Sequence, residues 1–214
     1  MTVRGGIILC GGKSSRMGMA KSLLPFGPEL MLQRIVRLVG EVCDPIVVVA
    51  APGQALPELP AGSIIARDER EGQGPLEGLL AGLKSLPVGV DAAYVTGCDV
   101  PLLVPAFVRR MFELLGEHQV AVPVSDGFLH PLSAVYRRTL VDVVEALLAA
   151  DRRRPSDVFD TVDTRRVEPS ELADVDPRLD SLKNVNHPAD YLAALASLGF
   201  RAADEVLARL ATGK

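Results

Sequence analysis

Short apolar runs bounded by Gly, Pro or Asp alternate along this chain with stretches of helical periodicity, and that alternation limits the fold more than any other feature. The runs are Gly6–Leu9, Ile46–Ala50, Ser63–Ala66, Ala92–Thr96 and Val120–Pro123. Near-continuous apolar character over so few residues is what strands covered on both faces require. Between them, Leu30–Val42, Pro75–Leu86 and Val104–Gly116 carry apolar residues three and four apart, so each predicts a helix with one stripe against a sheet. A βαβα order implies an α/β, doubly wound, mostly parallel sheet in a single domain. At 214 residues, 48% of them apolar, the chain can bury one sizeable core.

The second half reads less sharply. Leu132–Val135 predicts a late strand, Arg137–Ala150 a helix, and Val158–Val167 is a weaker segment beyond the basic run Arg152–Arg154. Cations just past a helix end complement its negative dipole, so that run is read as a solvated helix terminus, with contact to an anionic substrate as the alternative. No internal repeat or low-complexity linker appears.

Composition excludes several functions. A formal charge of −4 argues against a surface built for nucleic acid or anionic lipid, so an anionic ligand needs a local site. Cys10, Cys43 and Cys98 form an odd, sparse set with no CxxC pair, which indicates neither a disulfide framework nor a zinc site and fits a reducing cytoplasm. The apolar stretch after Arg4 is too short for a signal sequence, and no segment reaches the roughly 18 apolar residues of a membrane span.

In an open α/β sheet, ligands bind beyond the carboxyl ends of the strands. The first such end leads into Leu9-Cys10-Gly11-Gly12-Lys13-Ser14-Ser15-Arg16-Met17-Gly18-Met19-Ala20-Lys21. Residues without Cβ atoms let backbone N–H groups approach phosphate oxygens, and Arg16 and Lys21 add positive charge where a triphosphate is most negative. A P-loop would need Gly where Ile7 stands, and no GxGxxG is present. The fourth strand leads to Asp99, whose carboxylate would face this loop and suit Mg²⁺, with a turn residue or helix N-cap as the alternative. No Ser/His/Asp or Cys/His order suggests a covalent nucleophile. His118 and His187 read as surface or capping residues, while His130 is open between packing and ligand contact.

The loop resembles the LxGGxSxRMGxxK signature of nucleotidyltransferases that join an NTP to a phosphorylated acceptor. With Gly74-Pro75-Leu76-Glu77-Gly78, Cys98-Asp99-Val100-Pro101 and Asn184-Val185-Asn186, the chain is similar to molybdenum cofactor guanylyltransferases from Gly6 to about Leu195. The resemblance implies a Rossmann-like nucleotidyltransferase fold, with a nucleotide-binding part over about residues 1–125 and an acceptor-binding part over about 126–200. It implies that Leu9, Cys10, Gly11, Gly12, Arg16, Lys21, Asp68 and Asp99 meet the nucleotide. Arg16, Lys21 and Asp99 would be catalytic, Asp99 would hold Mg²⁺, and Asn184 and Asn186 would lie by the pterin phosphate. The expected substrates are GTP and molybdopterin, and molybdoenzyme maturation proteins are the further partners suggested. Where the family often has an Asn after the second strand, this chain has Ala50-Ala51-Pro52-Gly53-Gln54, leaving the base to backbone groups, to Gln54 or to another residue. CTP or a sugar-phosphate reaction on the same scaffold, and a GTP-binding cofactor chaperone that does not turn over, are the competing readings. Glu77, where a small residue is usual, reads as a first-turn acid favouring a helix N-terminus.

Overall fold

The computed structural model describes residues 3–11, 17–67 and 74–212. In chain order the elements are β1 (Val3–Leu9), β2 (Pro25–Phe26), β3 (Glu29–Leu30), α1 (Met31–Gly40), β4 (Ile46–Ala50), β5 (Ile64–Arg67), α2 (Pro75–Ser85) and β6 (Val90–Gly97). There follow α3 (Pro105–Leu115), β7 (Val120–Ser125), β8 (Phe128–Leu129), β9 (Ser133–Arg137), α4 (Val141–Ala149), α5 (Ser156–Phe159), β10 (Thr164–Val167), α6 (Pro188–Ser197) and α7 (Asp204–Thr212). The main sheet runs β10-β7-β9-β6-β1-β4-β5, with β8 paired to β7 off that path. Within the main path β9 alone runs antiparallel to its neighbours, and every other pairing is parallel. The mostly parallel α/β fold expected from the sequence is therefore present, with β6 at the centre of the path and β1 beside it.

Period-two alternation sends successive strand residues to opposite faces. On one face Ile8, Val48, Tyr94 and Val135 pack with Leu32, Ile35, Val36 and Val39 of α1 and with Phe107, Val108 and Met111 of α3. On the other, Ile7, Leu9, Val47, Val49, Val95 and Tyr136 pack with Leu76, Leu79 and Leu83 of α2, Val144 and Leu147 of α4, and Phe159 of α5. Each fully buried aliphatic side chain contributes about 1.5–3 kcal/mol relative to exposure, opposed by the entropy of ordering the chain. Gly78 belongs to this packing: a Cβ there would stand 3.3 Å from the Leu9 side chain, so a glycine lets α2 lie close on β1. All three cysteines are buried and free, as their apolar surroundings predict.

A third cluster was not legible in advance. Met17, Leu24, Phe26 and Met31 pack with Val185, Tyr191, Leu195, Val206 and Leu210, so α6 and α7 clasp the end of the glycine-rich loop and the segment that follows it. Tyr191 Oη adds a hydrogen bond to the Pro25 carbonyl.

Two sequence readings are corrected. Arg137, expected to begin a helix, ends β9 instead, because its guanidinium reaches sideways to the His118 carbonyl at 3.0 Å and the Asp91 carboxylate at 2.5 Å. A 3-10 turn, Arg138–Leu140, then leads into α4. The weak segment after the arginines divides into the single turn α5 and the edge strand β10. Arg152 and Arg153 lie exposed just past α4 and pair with Asp157 and Asp151 at 3.4 and 2.6 Å, which matches a solvated helix end. No helix among the described residues is long and apolar enough to cross a membrane.

Candidate active site

The carboxyl ends of β1, β4, β5 and β6 meet along one rim of the sheet, since these strands are parallel neighbours. Backbone ties hold that rim: Cys10 N–H donates to the Val49 carbonyl at 2.8 Å and Cys98 N–H to the Leu9 carbonyl at 3.1 Å. Leu9 and Cys10 are both buried, their side chains in opposite faces of the core. The Cys10 thiol has a raised pKa, chiefly through its hydrogen bond with Cys98 and then through burial, so it stays protonated at neutral pH. Gly11 differs: apart from its chain neighbours, a Cβ there would meet nothing within 4 Å among the described residues, so their packing does not require a glycine at that position. Open space over a strand end is what a ligand's phosphates could use. Gly12, Arg16 and Asp68, also expected in the site, lie outside the described residues.

Lys21 and Asp99 come together across the rim. Lys21 opens a 3-10 turn, Lys21–Leu23, whose Ser22 is buried, and its Nζ donates to Asp99 Oδ2 at 2.9 Å. The two side chains are 17% and 18% exposed, open enough for a ligand to reach yet shielded enough for charge to act strongly. The same Nζ donates to Asn186 Oδ1 at 2.8 Å. Lys21 thus meets a residue 165 positions away in the sequence.

The supports of Asp99 and Asn186 are equally local. Gly97 must lack a Cβ, which would lie 2.5 Å from Asp99 Oδ1 and push the carboxylate out of its place. Arg34 donates to the Pro101 carbonyl at 2.6 Å and ion-pairs with Glu29 at 3.2 Å, fixing the turn after Asp99 to α1. Val185 N–H donates to the Asp99 carbonyl at 2.8 Å, so the Asn184–Asn186 strap is hydrogen-bonded directly to the Asp99 segment. Asp190 caps α6, its carboxylate accepting from the Asn186 and His187 N–H groups at 3.0 and 2.8 Å. Those two bonds lower the Asp190 pKa. The capping is done by Asp190, which leaves the Asn186 amide for Lys21. Asn184 is exposed beside it.

Gln54 is engaged with the main chain at both ends of its amide: Oε1 accepts from Ala51 N–H at 3.0 Å and Nε2 donates to the Cys10 carbonyl at 3.1 Å. Arg67 Nη1 donates to the Ala51 and Gln54 carbonyls at 2.9 and 3.0 Å. Neither Gly97 nor this Gln54–Arg67 arrangement carries a sequence motif. Of the remaining candidates, Glu77 sits in the first turn of α2. His118 pairs with Asp163 at 3.0 Å. His130 is half-buried beside Ser125, and burial lowers its pKa, so its ring is neutral at pH 7.

Residues 6–165 match the family model described as the MobA-like NTP transferase domain. The chain belongs to that family. As a member of the MobA-like NTP transferases it is a nucleotidyltransferase, and its relatives agree. It is 38% identical over 195 residues to a probable molybdenum cofactor guanylyltransferase of Mycobacterium avium, an alignment covering 89% of this chain and 94% of the relative. The corresponding protein of Mycobacterium tuberculosis is 37% identical over 189 residues, covering 86% and 89%. In fold, this MobA-like chain resembles molybdopterin-guanine dinucleotide biosynthesis protein A of Archaeoglobus fulgidus with a TM-score of 0.75 at 19% identity, covering 91% of this chain and 98% of that one. A cytidylyltransferase of Thermus thermophilus shares the fold with a TM-score of 0.66 at 15% identity, covering 92% and 99%.

Proposed function

We propose that this enzyme transfers GMP from GTP to the terminal phosphate of molybdopterin with Mg²⁺ present, releasing pyrophosphate. The observation that carries the reading is Lys21, whose ammonium group sits between the Asp99 carboxylate and the Asn186 amide at the end of the glycine-rich loop. A cation placed there serves charge on the α-phosphoryl group from both the donor and the acceptor side. The curated relatives, named as molybdenum cofactor guanylyltransferases, supply the choice of donor and acceptor.

In this reading an oxygen of the acceptor phosphate attacks the α-phosphorus in line. A new P–O bond forms as the bond from the α-phosphorus to the bridging oxygen breaks, and pyrophosphate leaves with the electron pair. The acceptor is already ionised, so no strong general base is needed, and catalysis rests on positioning and on charge stabilisation. Gly11 and Gly12 offer main-chain contacts to the nucleotide, which lies beside Leu9 and Cys10; Arg16 and Lys21 neutralise its phosphates, and Asp68 lies by it. Asn184 and Asn186 orient the acceptor.

Among the described residues no three His, Cys, Asp or Glu side chains converge. A hard carboxylate at the rim such as that of Asp99 fits Mg²⁺, which keeps most of its waters and takes one or two carboxylates plus substrate phosphate oxygens. Asp99 would hold the ion, which when bound supplies positive charge to the phosphate oxygens.

The choice of base is tested by competition. With equal GTP and CTP, molybdopterin and Mg²⁺, the guanine dinucleotide is expected as the main product. Discrimination should be moderate, because each polar group left unpaired by the wrong base costs roughly 1–3 kcal/mol. A mainly cytidine product would overturn the guanylyl assignment and leave the reaction class intact.

A further inference from the structure

We infer that Gln54 is a positioning residue for the phosphate loop and does not read the base; the inference rests on the nucleotidyl-transfer reading above. Its amide has one consistent orientation, because Oε1 faces the Ala51 N–H and Nε2 faces the Cys10 carbonyl, at 3.0 and 3.1 Å. Reversing the amide would set donor against donor and acceptor against acceptor. Arg67 locks the turn from its other side through the Ala51 and Gln54 carbonyls. The clamp therefore joins the carboxyl ends of three adjacent strands, β1, β4 and β5.

The consequence lies in the peptide group between Cys10 and Gly11. The Cys10 N–H already points to β4, where it meets the Val49 carbonyl at 2.8 Å, and Gln54 draws the Cys10 carbonyl to the same side. In a planar trans peptide the carbonyl and the following N–H point in opposite directions. The Gly11 N–H is thus turned away from β4, toward the side of β1 on which β6 ends and Asp99 follows. It is the first amide donor of the glycine-rich loop after the Cys10 N–H, and apart from its chain neighbours nothing among the described residues stands within 4 Å of a would-be Gly11 Cβ.

Glycine tolerates both signs of φ, so this peptide could flip at little cost if nothing held its carbonyl. A flip would present the Cys10 carbonyl, an acceptor, to phosphate oxygens that need a donor. The Nε2 contact opposes that flip. Because Gln54 spends both ends of its amide on main chain, its action falls on the phosphates and not on the base.

Gln54→Glu isolates the point, since the carboxylate can still accept from Ala51 N–H but cannot donate to the Cys10 carbonyl. Binding of inorganic tripolyphosphate, which has no base, is measured beside binding of GTP and CTP for the wild type, Gln54→Glu and Gln54→Ala, with thermal melts for each. Both variants are expected to bind tripolyphosphate and GTP about tenfold more weakly, by the same factor, with the GTP-to-CTP ratio unchanged. Tripolyphosphate binding that stays at the wild-type level while the GTP-to-CTP ratio collapses would make Gln54 a base reader and overturn the inference. Lowered melting temperatures with all three affinities unchanged would reduce it to a structural residue, with the same consequence. A wild-type protein that binds neither tripolyphosphate nor any NTP would refute the phosphate-loop reading itself, and the inference with it.

Discussion

Asp99→Asn is expected to give a folded protein that still binds GTP but turns over at least about a thousandfold more slowly. The carboxamide keeps the shape of Asp99, can still accept from Lys21 through its oxygen, and leaves the Val185 N–H bond to the residue 99 carbonyl in place. What it loses is the negative charge that would hold Mg²⁺. Metal-based charge stabilisation supplies several kcal/mol to the transition state, and about 1.36 kcal/mol corresponds to each tenfold in rate. The defect should therefore appear in kcat and in the Mg²⁺ concentration required, with a melting temperature close to that of the wild type. Single-turnover rates across a Mg²⁺ titration check it. Near-normal turnover at millimolar Mg²⁺ would give the metal role to another carboxylate, with Asp68 the first to examine.

Lys21→Ala should act on binding and on chemistry together. Its ammonium group meets phosphate in the ground state as well as in the transition state, and a charged hydrogen bond contributes about 1.5–3 kcal/mol. Counting ground-state and transition-state contacts, a loss of about a hundredfold in kcat/KM is expected, divided between a higher KM for GTP and a lower kcat. The substitution also strands the Asp99 carboxylate and the Asn186 amide, which share that ammonium at 2.9 and 2.8 Å, so weaker use of the acceptor should follow. Steady-state kinetics with each substrate varied in turn separates these effects. An unchanged KM for GTP would show that Lys21 does not touch the nucleotide before the chemical step.

These two residues were also the most legible part of the site, and the reason is topological. Once β1 and β6 are recognised as buried parallel strands, their carboxyl ends must share a rim, and the Lys21 loop and Asp99 follow from it. The strands themselves were readable because burial on both faces demands unbroken apolar runs such as Ile46–Ala50. That signal fails for β10, an edge strand with sequence Thr-Arg-Arg-Val in which Val167 alone is buried. It fails again at Arg137, whose place is set by a carboxylate and two carbonyls on other segments.

Long-range packing hid the rest. The contact between Asn186 and Lys21 depends on α6 and α7 closing over Met17, Leu24 and Phe26, and no local pattern announces such a union. Gly97 reads as one small residue in a strand until the Asp99 carboxylate is found folded against it. Gln54 stood in the sequence as one possible reader of the base, and the structure commits both ends of its amide to backbone groups.

The most direct test of nucleotidyl transfer by this chain is pyrophosphate release from GTP measured with and without molybdopterin at saturating Mg²⁺. One pyrophosphate is expected per guanine dinucleotide formed, and none without the acceptor. GTP that binds with molybdopterin present yet yields neither pyrophosphate nor dinucleotide would contradict nucleotidyl transfer and leave a nucleotide-binding escort in its place.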